Sequence, residues 1–88
     1  MAKSERFLVQ VSANGKQFPR LGIIVGKRVA RRAVDRSLLK RLVRETFRRL
    51  QHRLAGFDLL VRPRCSVSAD EVMAASEELR ALLASAVE

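Results

Sequence analysis

The sequence has 88 residues, with 18 lysines and arginines against nine aspartates and glutamates, which gives a formal net charge of +9. A single cysteine and a single histidine exclude an internal disulfide and a four-ligand zinc site, and no stretch approaches the roughly 20 apolar residues of a transmembrane helix. The hydrophobic content of 48% is too high for a disordered basic tail. We therefore expect a single domain over residues 1–88 with a polyanionic partner, either nucleic acid or an acidic membrane surface.

Two predicted strands open the chain. Residues Arg6–Ser12 place apolar side chains at alternate positions, which predicts a half-buried strand. After the turn signal Asn14-Gly15, the segment Arg20–Lys27 is almost continuously apolar, which predicts a buried second strand. We expect the two strands to pair as an antiparallel hairpin.

A long amphipathic helix and a third strand follow. Asp35 is the predicted N-cap, because its carboxylate can accept from early backbone N–H groups. Apolar residues recur at spacings of three and four over Leu39–Leu54 and form a stripe about 140° wide. Gly56 is placed for a left-handed C-cap. The strand is predicted over Phe57–Arg62 and ends at Pro63.

The C-terminal element begins with a capping box formed by Ser68 and Glu71. Its apolar face predicts a second helix that contains Val72, Ala75, Leu79, Leu82, Leu83 and Ala86. The predicted order is β-β-α-β-α. This order indicates an α+β fold, a two-layer sandwich in which the basic amphipathic helix and the C-terminal helix pack on a small sheet.

The net charge lies in one segment. Residues 27–53 contain eleven cationic and two acidic residues, whereas the rest of the chain contains seven of each. On the predicted helix, Lys40, Arg44 and Arg48 recur every four residues on the side away from the apolar stripe, where like charges repel by a few tenths of a kcal/mol per pair. A bound polyanion would relieve this repulsion. Nucleic acid is favoured over a membrane surface, because the apolar stripe is needed to cover the sheet.

No pattern in the sequence points to catalysis by the chain itself. The segment Gly22–Lys27 has one residue too few for a phosphate-binding loop, and Arg28 stands where that loop needs Ser or Thr. No pair of carboxylates has the spacing of a metal site or a general acid–base site. We therefore predict no catalytic residue and no metal ligand in the chain.

Residues 20–64 resemble the protein subunit of bacterial ribonuclease P. The resemblance is carried by Arg20–Val29 (RLGIIVGKRV), Ala33–Arg48 (AVDRSLLKRLVRETFR) and a later strand that opens on Asp58. The family signature Arg-Asn-Arg is Arg36-Ser37-Leu38 here, a departure that bears on RNA contact. Arg31 and Arg32 are candidates to compensate.

The resemblance implies that the chain assists a catalytic RNA, which removes the 5′ leader of precursor tRNA with RNA-bound Mg²⁺. The implied partners are that RNA and precursor tRNA. We expect a cytoplasmic location, no membrane contact and no obligate protein partner. We also expect no Mg²⁺ on the protein alone. The predicted RNA-binding residues that match basic positions of the family motif are Lys27, Arg28, Arg31, Arg36, Lys40, Arg41 and Arg44. The charge pattern of the segment adds Arg32 and Arg48 to this set. Gln10 and Ser12, on the polar face of the first predicted strand, are candidates for a leader cleft.

Members of the family carry a helix and a strand upstream of the region that matches here, and this sequence opens at the family's second strand. We therefore expect weaker leader binding than is usual in the family, with binding to the catalytic RNA retained. The alternative interpretation is a general nucleic-acid-binding or ribosome-associated module with no role in catalysis.

Overall fold

The computed structural model describes all 88 residues. Its strands are β1 (Ala2–Lys3), β2 (Phe7–Ala13), β3 (Arg20–Ile23) and β4 (Phe57–Pro63), and its α-helices are α1 (Ala33–Leu50) and α2 (Val72–Ala86), with a 3₁₀ turn at Ala69–Glu71. The α+β class is confirmed. Strand β1 was not predicted, because two residues carry no periodic pattern. Neither helix combines the length and the hydrophobicity needed to cross a lipid bilayer.

The four strands form one mixed sheet in the order β1-β2-β4-β3. Strand β4 pairs antiparallel with β2 from Phe7↔Pro63 to Ala13↔Phe57, and β3 pairs parallel with β4. The predicted hairpin is therefore wrong, because β4 lies between the two strands that were expected to pair. A parallel pair needs a long crossover connection, and α1 supplies it between β3 and β4.

Strand β3 is shorter and more exposed than predicted. It ends at Ile23 rather than Lys27, lies at the edge of the sheet and is half-buried at best. The Ile24 N–H still donates to the Val61 carbonyl at 3.1 Å. In a parallel ladder the next bond would be donated by residue 63, and Pro63 has no N–H. The ladder therefore stops there, and the chain turns away toward α1.

Both helices cover the same face of the sheet. Side chains of β2 and β4 that alternate onto this face are buried, and the stripes predicted on the helices meet them. The core contains Phe7 and Val9 from β2, Leu59 and Val61 from β4, Leu39, Leu42 and Val43 from α1, and Ala75, Leu79 and Leu83 from α2. The opposite face of the sheet is left without a helix, which creates room for a groove.

The helix ends differ in part from the predictions. Helix α1 begins at Ala33 with Arg32 at the N-cap, so the prediction of Asp35 as N-cap is wrong. Asp35 lies instead in the first turn, where its charge still favours the helix dipole and its carboxylate is taken by the Arg32 side chain. Gly56 has the predicted left-handed conformation, with φ +91°, but the prediction of Gly56 as the C-cap is wrong. Helix α1 ends at Leu50 with Gln51 as its C-cap, and a turn connects it to Gly56. The capping box is confirmed, because the Ser68 N–H donates to the Glu71 carboxylate at 3.1 Å.

A half-buried carboxylate joins the N-terminal strands to α2. Glu78 accepts from the Ser4 hydroxyl, from the Arg6 N–H at 2.7 Å and from the Arg6 guanidinium at 2.7 Å. Burial alone would raise the pKa of Glu78, but these hydrogen bonds outweigh it and hold that pKa below its ordinary value. The contact fixes the start of β2 against the second helix.

Candidate nucleic-acid interface

The nine predicted RNA-binding residues lie on the turn before α1 and on α1 itself. All of them are exposed except Arg36 and Lys40, which are half-buried. The apolar stripe of α1 faces the core, so the charged side of the helix is turned outward, as predicted. The segment therefore displays its cations to solvent.

Three of the nine cations are engaged within the protein. Arg32 pairs with Asp35 at 2.9 Å and Arg41 with Glu45 at 3.3 Å. The pKa of Asp35 lies below its ordinary value, mainly because Arg32 donates a hydrogen bond to its carboxylate and to a smaller degree because Arg32 is positively charged. Arg36 donates through Nη1 to two backbone carbonyls of the preceding turn. These three side chains are already committed before any ligand binds.

The other six have no carboxylate within ion-pair distance. We call this set the basic surface; it consists of Lys27, Arg28 and Arg31 on the turn and Lys40, Arg44 and Arg48 on α1. The three on α1 stand one turn apart, so they span roughly 12 Å along the helix axis. Several phosphates of a nucleic-acid backbone fit along a row of uncompensated cations of this length, so the row suits such a backbone.

Arg49 is an exposed cation of α1 that was not among the predicted site residues. It has no carboxylate within ion-pair distance, and its charge helps to lower the pKa of Glu77 on α2. This proximity places Arg49 on the side of α1 that faces α2. On a helical wheel Arg49 lies away from the row formed by Lys40, Arg44 and Arg48. Its position in the sequence therefore separates it from the basic surface.

The open face of the sheet holds a groove of about 510 Å³, here called the sheet groove. Gln10 and Ser12, the two predicted cleft residues, both line it. It is also lined by Val11, Arg20, Leu21, Gly22, Asp58, Leu59 and Leu60. The contributions of β3 and β4 were missed, because they depend on strand pairing, which no single strand reveals: Leu60 lies beside Gln10 on one side and beside Gly22 on the other. The alternation of side chains along β4 could have shown that Asp58 and Leu60 share one face of the sheet.

An ion pair closes one end of the sheet groove. Arg20 donates to Asp58 through two nitrogens, at 2.7 and 2.6 Å, and the Asn14 side-chain amide donates to the same carboxylate at 3.1 Å. These hydrogen bonds, first from Arg20 and then from Asn14, lower the pKa of Asp58 to about 2. Because Arg20 neutralises it, the one carboxylate in the groove does not repel a polyanion.

The depth of the sheet groove depends on a glycine. A Cβ atom on Gly22 would lie 3.1 Å from the Leu60 Cδ1 atom, which is closer than ordinary contact. Leu60 therefore fills the place beside the Gly22 backbone, and any longer side chain at residue 22 would project into the groove. No three His, Cys, Asp or Glu side chains stand close enough together to hold a metal ion.

Comparisons with known sequences show the family to which the chain is related. The family model described as "Ribonuclease P" matches residues 1–87. The "Ribonuclease P protein component" of Ralstonia pickettii is 48% identical over 60 residues, covering 68% of this chain and 43% of that protein. The protein of the same description from Chromobacterium violaceum is 42% identical over 78 residues, covering 89% of this chain and 64% of that protein. The chain thus spans about half the length of several curated relatives that it matches.

Solved structures of similar proteins share the fold. The RNase P protein from Thermotoga maritima in complex with 1-(4-fluorophenyl)-2-thiourea superimposes with a TM-score of 0.72 at 32% identity, covering 97% of this chain and 79% of that one. A Staphylococcus aureus RNase P protein mutant with defective mRNA degradation activity gives a TM-score of 0.80 at 26% identity, with 96% and 71% coverage. The mixed sheet with two helices on one face is therefore common to these proteins.

Proposed function

The chain belongs to the ribonuclease P protein family, and we propose that it is the protein subunit that assists a catalytic RNA in removing the 5′ leader from precursor tRNA. The observation that carries the proposal is the basic surface, six cations of one chain segment with no carboxylate partner. The like charges of such a surface repel one another, and a bound polyanion relieves this repulsion.

The basic surface is the proposed contact with the catalytic RNA. Binding would release counterions from the RNA backbone, so the affinity should fall steeply with salt. Contacts of this kind position the protein and carry little sequence information. This is what a subunit needs if it is to bind one structured RNA by shape and charge.

The sheet groove is the proposed contact with the single-stranded leader of precursor tRNA. Its walls contain no aromatic side chain, so stacking between bases and aromatic rings cannot dominate there. Gln10 offers an amide that can both donate and accept, and Ser12 a hydroxyl that can do the same. We propose that the leader backbone lies along the groove and that Gln10 and Ser12 form hydrogen bonds with it.

Hydrolysis itself is assigned to the RNA subunit, with Mg²⁺ held by RNA. The chain contributes binding and orientation, and none of its residues is given a catalytic role. Because the role requires a complex with the catalytic RNA and precursor tRNA, the proposed location is the cytoplasm. No obligate protein partner is needed for this role.

The experiment is reconstitution with a bacterial ribonuclease P RNA. Leader removal from precursor tRNA is measured at low Mg²⁺ with RNA alone, with protein alone and with both. We expect clear stimulation only in the mixture. A chain that binds the RNA without stimulating cleavage would favour the general nucleic-acid-binding alternative, and cleavage by the protein alone would refute the assignment of hydrolysis to RNA.

A further inference from the structure

The turn between β3 and α1 carries half of the basic surface on very little regular structure. Residues 24–32 belong to no helix or strand beyond the single bond from the Ile24 N–H to β4. Within the turn, the N–H groups of Val29 and Ala30 donate to the Gly26 carbonyl at 3.1 and 3.2 Å. Ala30, only 2% exposed, anchors the turn in the core. The carbonyls of Ala30 and Arg31, at the end that enters the helix, accept no backbone N–H.

The guanidinium of Arg36 binds these two carbonyls. From the first turn of α1, its Nη1 atom donates to the carbonyl of Ala30 at 3.0 Å and to the carbonyl of Arg31 at 2.8 Å. One guanidinium nitrogen thus fixes two consecutive peptide groups, and its positive charge strengthens both bonds. The side chain is half-buried, unlike its exposed neighbours on the turn.

We infer that Arg36 is a positioning residue, which holds the turn so that Arg28 and Arg31 are displayed to the RNA, rather than a residue that itself contacts a phosphate. The inference rests on the proposed RNA-binding function. A turn whose backbone is ordered before binding does not pay the cost of ordering that backbone on binding. We expect Arg36→Ala to weaken binding to a bacterial ribonuclease P RNA by about twofold to tenfold, because the turn would then be ordered only when the RNA binds.

A double-mutant cycle separates positioning from direct contact. The dissociation constant is measured over a range of salt for the wild type, Arg36→Ala, Arg28→Ala/Arg31→Ala and the combined variant. If Arg36 acts through the turn, adding Arg36→Ala to the double variant should change the constant by less than about twofold. A direct phosphate contact would instead keep its full effect and lower the salt slope by a further amount of roughly 0.7–0.9, which would overturn the inference.

Lys40→Ala is the matched control for this cycle. It removes one charge from the same surface, and Lys40 makes no hydrogen bond to the turn. We expect its effect to be additive with Arg28→Ala/Arg31→Ala. If Lys40→Ala is as non-additive as Arg36→Ala, the coupling is not specific to Arg36 and the inference fails.

Hydrogen exchange on the free protein tests the inference without RNA. In Arg36→Ala, the amides of Val29 and Ala30 should exchange faster, while those of Leu42 and Val43 in the middle of α1 should not change. Arg36→Met keeps much of the aliphatic stem without the donors, and it is the second variant if Arg36→Ala does not fold. Unchanged exchange in the turn in a folded variant would overturn the inference. The proposed function is tested separately, by cleavage with the wild-type chain.

Discussion

Replacing Lys40, Arg44 and Arg48 together with Ala is the most direct test of the basic surface. The three side chains form a row on α1 and have no carboxylate partner. Removing one phosphate contact should lower the slope of log affinity against log salt by roughly 0.7–0.9, so we expect the slope to fall by about 2–3 for the three together. Taken from 1 M salt, where this contribution vanishes, to 0.15 M, that change corresponds to about 45–300-fold weaker binding.

The same substitution should leave the fold intact and slightly more stable. It removes the like-charge repulsion between Lys40 and Arg44 and between Arg44 and Arg48, which costs about 0.4–1 kcal/mol in total. Alanine also has the highest helix propensity. A variant that binds RNA more weakly while unfolding at higher urea concentration cannot owe its weaker binding to unfolding.

The assay is filter binding to a bacterial ribonuclease P RNA between about 50 and 400 mM salt, beside urea unfolding followed by circular dichroism. The matched control replaces the exposed residues Lys3, Lys16 and Arg80, which lie outside the basic surface. It lowers the net charge by the same three units. An unchanged slope in the first variant, or an equal fall in the control, would refute the idea that this row is the RNA contact.

Three further predictions concern the groove and the folded state. Gly22→Val should fill the sheet groove beside Leu60 and weaken crosslinking of the precursor tRNA leader, with little change in affinity for the catalytic RNA; equal loss of both would contradict the separation of the two sites. The pKa of Asp58, about 2 in the folded protein against an ordinary value of 3.8, means that its ionised form stabilises the fold above about pH 4 and that this contribution is lost as the pH falls toward 2. The difference in urea midpoint between wild type and Asp58→Asn should therefore shrink over that interval, and a difference that grows on acidification would contradict the sign. Glu78→Ala leaves the Arg6 N–H without its acceptor and should cost about 1–3 kcal/mol in urea unfolding, whereas a loss below about 0.5 kcal/mol would show that water replaces the carboxylate.

The helices and the ranges of β2 and β4 could be predicted from the sequence, because each depends on a local period. The apolar stripe of α1, the face of α2 and the capping box at Ser68 were all confirmed. Strand pairing could not be predicted in the same way. A short loop with an Asn-Gly signal favours a hairpin, and nothing local shows that β4, about 40 residues after β2, lies between β2 and β3.

The position of the positive charge could also be predicted, but not which cations are free. The nine predicted residues lie on the turn and on α1, as expected. Three of them are engaged with Asp35, with Glu45 or with backbone carbonyls. The i,i+4 spacing of Arg41 and Glu45 could have predicted one of the two ion pairs from the sequence. The contacts of Arg36 depend on the path of an irregular turn, for which no periodic pattern exists.

The arrangement of the sheet gives a physical reason for joining the two proposed contacts. Strand β3 borders the sheet groove through Arg20 and Gly22, and the chain leaves it directly into the turn and α1. Residues 20–48 therefore form one continuous segment that touches the groove at one end and carries the basic surface along the rest. Because Pro63 ends the β3 ladder, the turn leaves the sheet at a fixed point, and Arg36 fixes the other end of the turn at α1. On the proposed function, this segment would help to hold a leader in the groove and a catalytic RNA on the basic surface in a set relation, together with the strands β2 and β4 that complete the groove.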